Sequence, residues 1–128
     1  MMEECLALQR WLTAGLQAAG MKVHDVPPGD ALPPYVALGP DSTTEWSWKG
    51  GGGTEHRLVV TLWCGREGMQ RTKAMLSEVE EVIGSLPRTI DGIRIVTLRV
   101  LRGQVKRNPK SWTAGRLELL VRTIKETM

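Results

Sequence analysis

The chain has 128 residues, 41% hydrophobic and 24% charged, which is the size and make-up of one globular domain spanning residues 1–128. No apolar run approaches the ~20 residues of a bilayer-spanning helix, and glutamates stand near the N-terminus where a signal peptide needs lysine or arginine. A protein made and kept in a cytoplasm is therefore expected. The net charge of +3 hides a polarity: residues 1–64 hold four Lys/Arg against seven Asp/Glu, and residues 65–128 hold thirteen against seven.

Residues 3–19 are expected to form an amphipathic helix. Leu8, Trp11, Leu12, Leu16 and Ala19 recur at helical spacing, with Gln9, Arg10, Thr13 and Gln17 elsewhere. Glu3 and Glu4 suit the positive end of the helix dipole, and Gly20 suits the place after the last turn. Residues 21–26 read as a short extended piece. Four prolines among residues 27–34 then forbid regular structure. A strand starts at Tyr35 and resumes around Glu45 to Trp48, after a turn at Gly39, Pro40 and Asp41. Its partner runs from His56 to Cys64, with Leu58, Val60, Leu62 and Cys64 on one face and Arg57, Val59, Thr61 and Trp63 on the other. Apolar residues on both faces mark a central strand, or one covered by a neighbouring molecule. Between the strands stand Gly50, Gly51, Gly52 and Gly53. Each loses more backbone freedom on ordering than any other residue type. Residues 48–55 are accordingly expected to be a flexible hairpin loop, an aromatic-flanked arm that a partner orders.

After a turn at residues 65–68, Met69, Thr72, Leu76, Val79, Ile83 and Leu86 keep a strict three-four spacing, a helix packed on a sheet and ended by Pro87. Residues 93–101 and 113–123 form a second hairpin, rich in Val, Ile, Leu and Thr. Its loop, about residues 102–112, contains Asn108 and Pro109 as the strongest breaker. From Asp91 to Glu118 there is no acid between, but seven bases: Arg94, Arg99, Arg102, Lys106, Arg107, Lys110 and Arg116. The order α-ββ-α-ββ predicts an α+β fold, a mostly antiparallel mixed sheet with helices packed on one face.

Enzyme chemistry finds no foothold. Lys49 precedes its glycines and leads into a strand, whereas a phosphate loop places the lysine after them and before a helix. His24 and His56 have no partners at metal-ligand spacing. Cys5 and Cys64 fit no disulfide framework and read as buried free thiols. Glu78, Glu80 and Glu81 are spaced as a solvated helix face. No catalytic residue, cofactor or metal is expected. Two surfaces stand out instead. Trp46, Trp48, Lys49, Gly50, Gly51, Gly52, Gly53 and Trp112 are candidates for contact with another subunit, since tryptophan is enriched at interface hot spots; packing under their own loops is the alternative for each tryptophan. Arg102, Lys106, Arg107 and Lys110 form a candidate basic surface.

Over nearly its whole length the chain resembles a family. The features run in order: the helix LALQRWLTAGLQAAG, the passage VHDVPPGDALPPYVALG, then DSTTEWSWKGGGGTEHRLVVTLWC, the helix GMQRTKAMLSEVEEVIGSLP, and IDGIRIVTLRVLRGQVKRNPKSWTAGRLELLVRT. It resembles the tail-completion or tail-terminator proteins of long-tailed phages and gene transfer agents. That resemblance implies a virion structural protein without enzymatic activity, made in the host cytoplasm and then built into the tail. It implies a homo-oligomeric ring, a hexamer, capping the head-proximal end of the tail tube. Its partners would be its own copies, the major tail tube protein and head–tail connector proteins, with DNA passing through the lumen. Two other readings stand beside it: a head–tail connector or neck subunit, and a small nucleic-acid-binding module using the basic hairpin.

Overall fold

The chain runs α1 (Met2–Ala18), β1 (Val23–His24), β2 (Tyr35–Leu38), β3 (Ser42–Trp48), β4 (Gly51–Cys64), α2 (Met69–Gly84), β5 (Thr89–Ile90), β6 (Ile93–Arg107) and β7 (Thr113–Lys125). The computed structural model describes residues 1–126 apart from 67 and 109–111. α1 buries Ala7, Leu8, Trp11, Leu12 and Leu16 along one stripe. It ends as its sequence dictates: Gly20 takes φ +88, and the Met21 N–H reaches back to the Leu16 carbonyl at 3.0 Å. α2 buries Thr72, Leu76, Val79 and Ile83. Beyond its end, the Ser85 hydroxyl donates to the Val82 carbonyl at 2.9 Å, and Arg88 donates to Gly84 and Leu86 carbonyls at 3.0 and 2.8 Å. These bonds satisfy carbonyls that a helix end leaves without partners.

β4 is the centre of the sheet, whose strand order is β1-β2-β4-β7-β6-β5, with β3 also pairing β4. β2 and β3 lie end to end along one edge of β4, and β7 follows its other edge over residues 54–64. The β1–β2 pair is parallel and the other pairs are antiparallel. This is the mostly antiparallel mixed α+β sheet expected. Both helices pack on one face, where Leu58, Val60, Leu62, Leu117, Leu119 and Val121 meet the stripes of α1 and α2 in one core. α2 packs closely over Gly115 on β7, where a Cβ would lie 3.0 Å from the end of the Leu76 side chain. Trp11 ties α1 to the chain leaving α2, its indole N–H donating to the Pro87 carbonyl at 2.7 Å.

Several expectations need correction. β4 begins at Gly51, five residues ahead of His56, so the expected loop at 48–55 contracts to Lys49 and Gly50. β6 continues to Arg107, so Arg102, Lys106 and Arg107 sit on a strand and not in a loop. Cys64 is buried as expected, its thiol 3.8 Å from the Met75 sulfur, but Cys5 is only half-buried. An additional short hairpin, β5 to β6, turns through Asp91 and Gly92, both at positive φ. This is the geometry of a two-residue turn matched to strand twist.

Candidate functional site

The glycine run works as a lane for tryptophan. Trp46 pairs with Gly53, Ser47 with Gly52 and Trp48 with Gly51. A Cβ at Gly51 would come within 2.7 Å of the Trp48 ring, and one at Gly53 would run into the Thr123 carbonyl. Gly50, at φ +97, makes the turn, a backbone conformation that glycine enters without penalty. The two indoles lie 4.7 Å apart, and the Arg122 guanidinium stacks 4.9 Å above the Trp46 ring. Arg122 is held in turn by Glu55 at 3.4 Å. Trp48 remains 45% exposed at the outer edge of the sheet. Ordering of this hairpin therefore comes from contacts within the chain.

His56 pins the hairpin from the other side of the sheet. Its ring is fully buried, with Nδ1 3.0 Å from the Thr43 hydroxyl on β3 and Nε2 3.0 Å from the Thr123 hydroxyl on β7. Burial is the main reason its pKa falls to about 4; Glu4 opposes the shift and the N-terminal ammonium adds to it. Glu4 is itself buried. Desolvation works against its charge, but hydrogen bonding, the N-terminal ammonium and Lys125 together hold its carboxyl below the ordinary value.

Trp112 belongs to a different cluster. It packs edge-on against Tyr35 and Trp63, each with ring centroids 6.0 Å away, at the far end of β4 from Trp46 and Trp48. The structure thus divides the candidate aromatic residues into two patches, roughly 35 Å apart by strand rise.

The basic residues gather more widely than the candidate set Arg102, Lys106 and Arg107; Lys110 lies outside the described residues. Register places Arg57 on β4, Arg116 and Arg122 on β7, and Arg94, Arg99, Arg102 and Lys106 on β6 together on the sheet face away from the helices. The acids of these strands on that face are Glu55 and Glu118, paired with Arg122 and Arg116 at 3.4 and 3.6 Å. Arg57, Arg94, Arg99, Arg102 and Lys106 have no ion pair among the described residues. Two bulges bring the β6 bases into line. Strict alternation would send Arg99 to the opposite face from Arg94 and from Arg102. Register shifts between Ile95 and Thr97, and between Val100 and Arg102, each absorb one residue. All four bases then point the same way. Arg107 falls on the helix-side register. Val59 and Leu120 are buried on this face although no helix covers it, so neighbouring side chains on the same face supply the cover. On the helical side, Glu3, Glu78, Glu80 and Glu81 are exposed. Arg10, Arg71 and Lys73 are exposed on the same helices, so the helical layer is nearly balanced and the excess of base lies on the outer sheet face.

Among the described residues no group of three His, Cys, Asp or Glu could hold a metal ion. Among the same residues no helix is long and apolar enough to cross a membrane. A pocket between the end of α1, β2 and α2 is lined by Met21, Lys22, Tyr35, Leu62, Met75 and Glu78.

The family of the Tail completion protein gp17 matches residues 6–124. The chain belongs to this family. Among solved structures, a chain of the virion of a native gene transfer agent particle superposes with a TM-score of 0.77 at 28% identity, covering 93% of this chain and 96% of that one. No curated protein matches. A tail-completion protein is a structural part of a virion tail and not an enzyme. This accords with a molecule whose chemistry lies in aromatic and charged surfaces.

Proposed function

We propose that this tail-completion protein closes the head-proximal end of the tail tube as a homo-oligomeric ring, a hexamer, which stops tube growth and offers the surface to which the head joins. One observation carries the reading: a single fold presents unlike surfaces on opposite sides, a helical layer of nearly balanced charge and a basic sheet face whose bases lack acid partners among the described residues. Ring closure joins one surface of a subunit to a different surface of the next, and repulsion between like basic faces disfavours self-pairing. Trp46, Trp48 and the turn Lys49-Gly50 sit at a sheet margin, where they can reach a neighbouring subunit or the tube. Trp112 stays a candidate at the far patch. The bases Arg102 and Lys106 face outward and can lie toward the lumen, through which DNA passes. Assembly takes place in the bacterial cytoplasm, beside the tube and connector proteins.

Mass measurement and negative-stain imaging of the protein mixed with tail tubes test this. The expected result is a six-fold ring at one tube end and tubes of uniform length. A protein that stays monomeric beside tubes and leaves their length unchanged would refute it, and binding to heads but not tubes would favour a connector role.

A further inference from the structure

The sheet ends in two long margins. On one side β3 pairs, among the described residues, only with β4. On the other, β5 covers β6 only at Ile93 and Arg94, and the Ile95 N–H goes to the Arg88 carbonyl at 2.7 Å. No strand among the described residues flanks the remaining outer edge of β6, residues 97–107. Such an edge is a template for another strand.

Strand direction selects the added strand. Through β3 the sheet reads β3-β4-β7-β6, with every neighbour antiparallel. β3 and β6 therefore run in opposite senses. Copies related by rotation about a ring axis keep each strand's sense along that axis, so a neighbour's β3 reaches β6 antiparallel. An odd number of alternating strands would have brought it in parallel. Side chains match as well. The face away from the helices carries Trp46 and Trp48 on β3 and Arg99, Arg102 and Lys106 on β6. Arg122 over Trp46 at 4.9 Å is an arginine–tryptophan stack of that kind within one chain. On the helix-side register, Val100 stands 39% exposed on β6, an apolar side chain that an added strand would help to cover.

We propose that β3 of one copy adds as an antiparallel strand to residues 97–107 of β6 in the next, so that the sheet runs on from subunit to subunit. This rests on the ring reading. The occupant is a second copy because the chain carries both halves of the match, an aromatic margin and an arginine margin, on opposite sides of one sheet. β5 occupies the first places along β6, so the incoming strand is displaced toward Arg107. A closed, tilted sheet requires a stagger of this type. The bulges and arginines of β6 also discourage indiscriminate edge pairing.

Disulfide trapping in the full-length protein, mixed with tail tubes, tests the contact. Thr44→Cys on β3 is combined in turn with Arg99→Cys, Arg102→Cys, Gln104→Cys or Lys106→Cys, all on the outer face. At least one pair is expected to give a ladder of linked multimers on mild oxidation, at least tenfold above the single variants and the wild type with its Cys5 and Cys64. Hydrogen exchange on the wild type is a second readout that needs no variant. Amides within 42–48 and 97–107 should slow at least tenfold on ring formation. Rings that form without linkage in any pair and without slowed exchange in these segments overturn the edge pairing and leave the ring reading standing. Absence of any ring removes both.

Discussion

Each of the glycines beside the tryptophans meets a different neighbour. A Cβ on Gly53 would enter the space of the Thr123 carbonyl, which is backbone and cannot swing aside, whereas one on Gly52 finds its nearest atom at 3.6 Å. Gly53→Ala is expected to cost about 2 kcal/mol or more, and Gly52→Ala to stay within about 0.5 kcal/mol, read as shifts in the urea midpoint. His56 gives a pH signature. Its folded pKa, about 4, lies below its unfolded value of 6.5. Between those values the unfolded chain takes up a proton that the folded chain refuses, so stability is full above pH 6.5 and falls on acidification toward 4. The loss attributable to His56 is at most roughly 3 kcal/mol. Glu4 acts lower: its depressed carboxyl stabilises the fold above 4.5 and loses that effect as pH falls through its folded value. Thermal melts should show the upper slope in the wild type and its disappearance in His56→Gln, while a slope unchanged by that substitution would assign the proton uptake to another group.

At the level of elements, periodic burial was the readable signal. The alternation of Leu58, Val60, Leu62 and Cys64 and the spacing of Thr72, Leu76, Val79 and Ile83 correspond to buried faces of β4 and α2. The glycine run misleads because glycine's intrinsic freedom is local, whereas the indoles that seat over Gly51 and Gly53 and the β7 backbone beside Gly53 are contributed by other segments. Bulges on β6 are equally silent in sequence: Val96 and Leu101 have the same strand preference as their neighbours. Asp91-Gly92 between Ile90 and Ile93 was a legible hairpin signal that a focus on the longer strands passes over. The hairpin prediction follows. Removing residues 50–53 deletes the turn and the seats of both tryptophans, and should destabilise the chain by on the order of 2–4 kcal/mol. A deletion variant melting like the wild type would restore the view of this segment as a loose arm.

For the whole molecule, the decisive property is which layer carries which charge, and this depends on register that composition does not reveal. The counts of bases in the two halves of the chain pointed to a basic hairpin, and folding adds Arg57 from the first half to the same face. Replacing Arg99, Arg102 and Lys106 together by glutamate changes exposed side chains without ion partners among the described residues, so the melting temperature should hold within a few degrees. Assembly onto tubes should fail. A triple variant that still caps tubes at wild-type concentration would show the outer face to be bystander surface. For DNA, four phosphate contacts on this face would give a log–log salt slope of about −3 to −4, measurable by anisotropy with a short duplex.

The paired bulges on β6 also have a consequence for chain length. Because each absorbs a single residue, losing either one rotates half of the strand by a place and turns arginines toward the helices. Insertions and deletions here are therefore not neutral spacing changes but exchanges of the inner and outer faces. In related chains, the number of residues separating outward bases should change only in steps of two, unless a bulge is gained or lost with it. Comparing loop-free strand lengths across such chains would then report the orientation of this face even where no charged residue is shared.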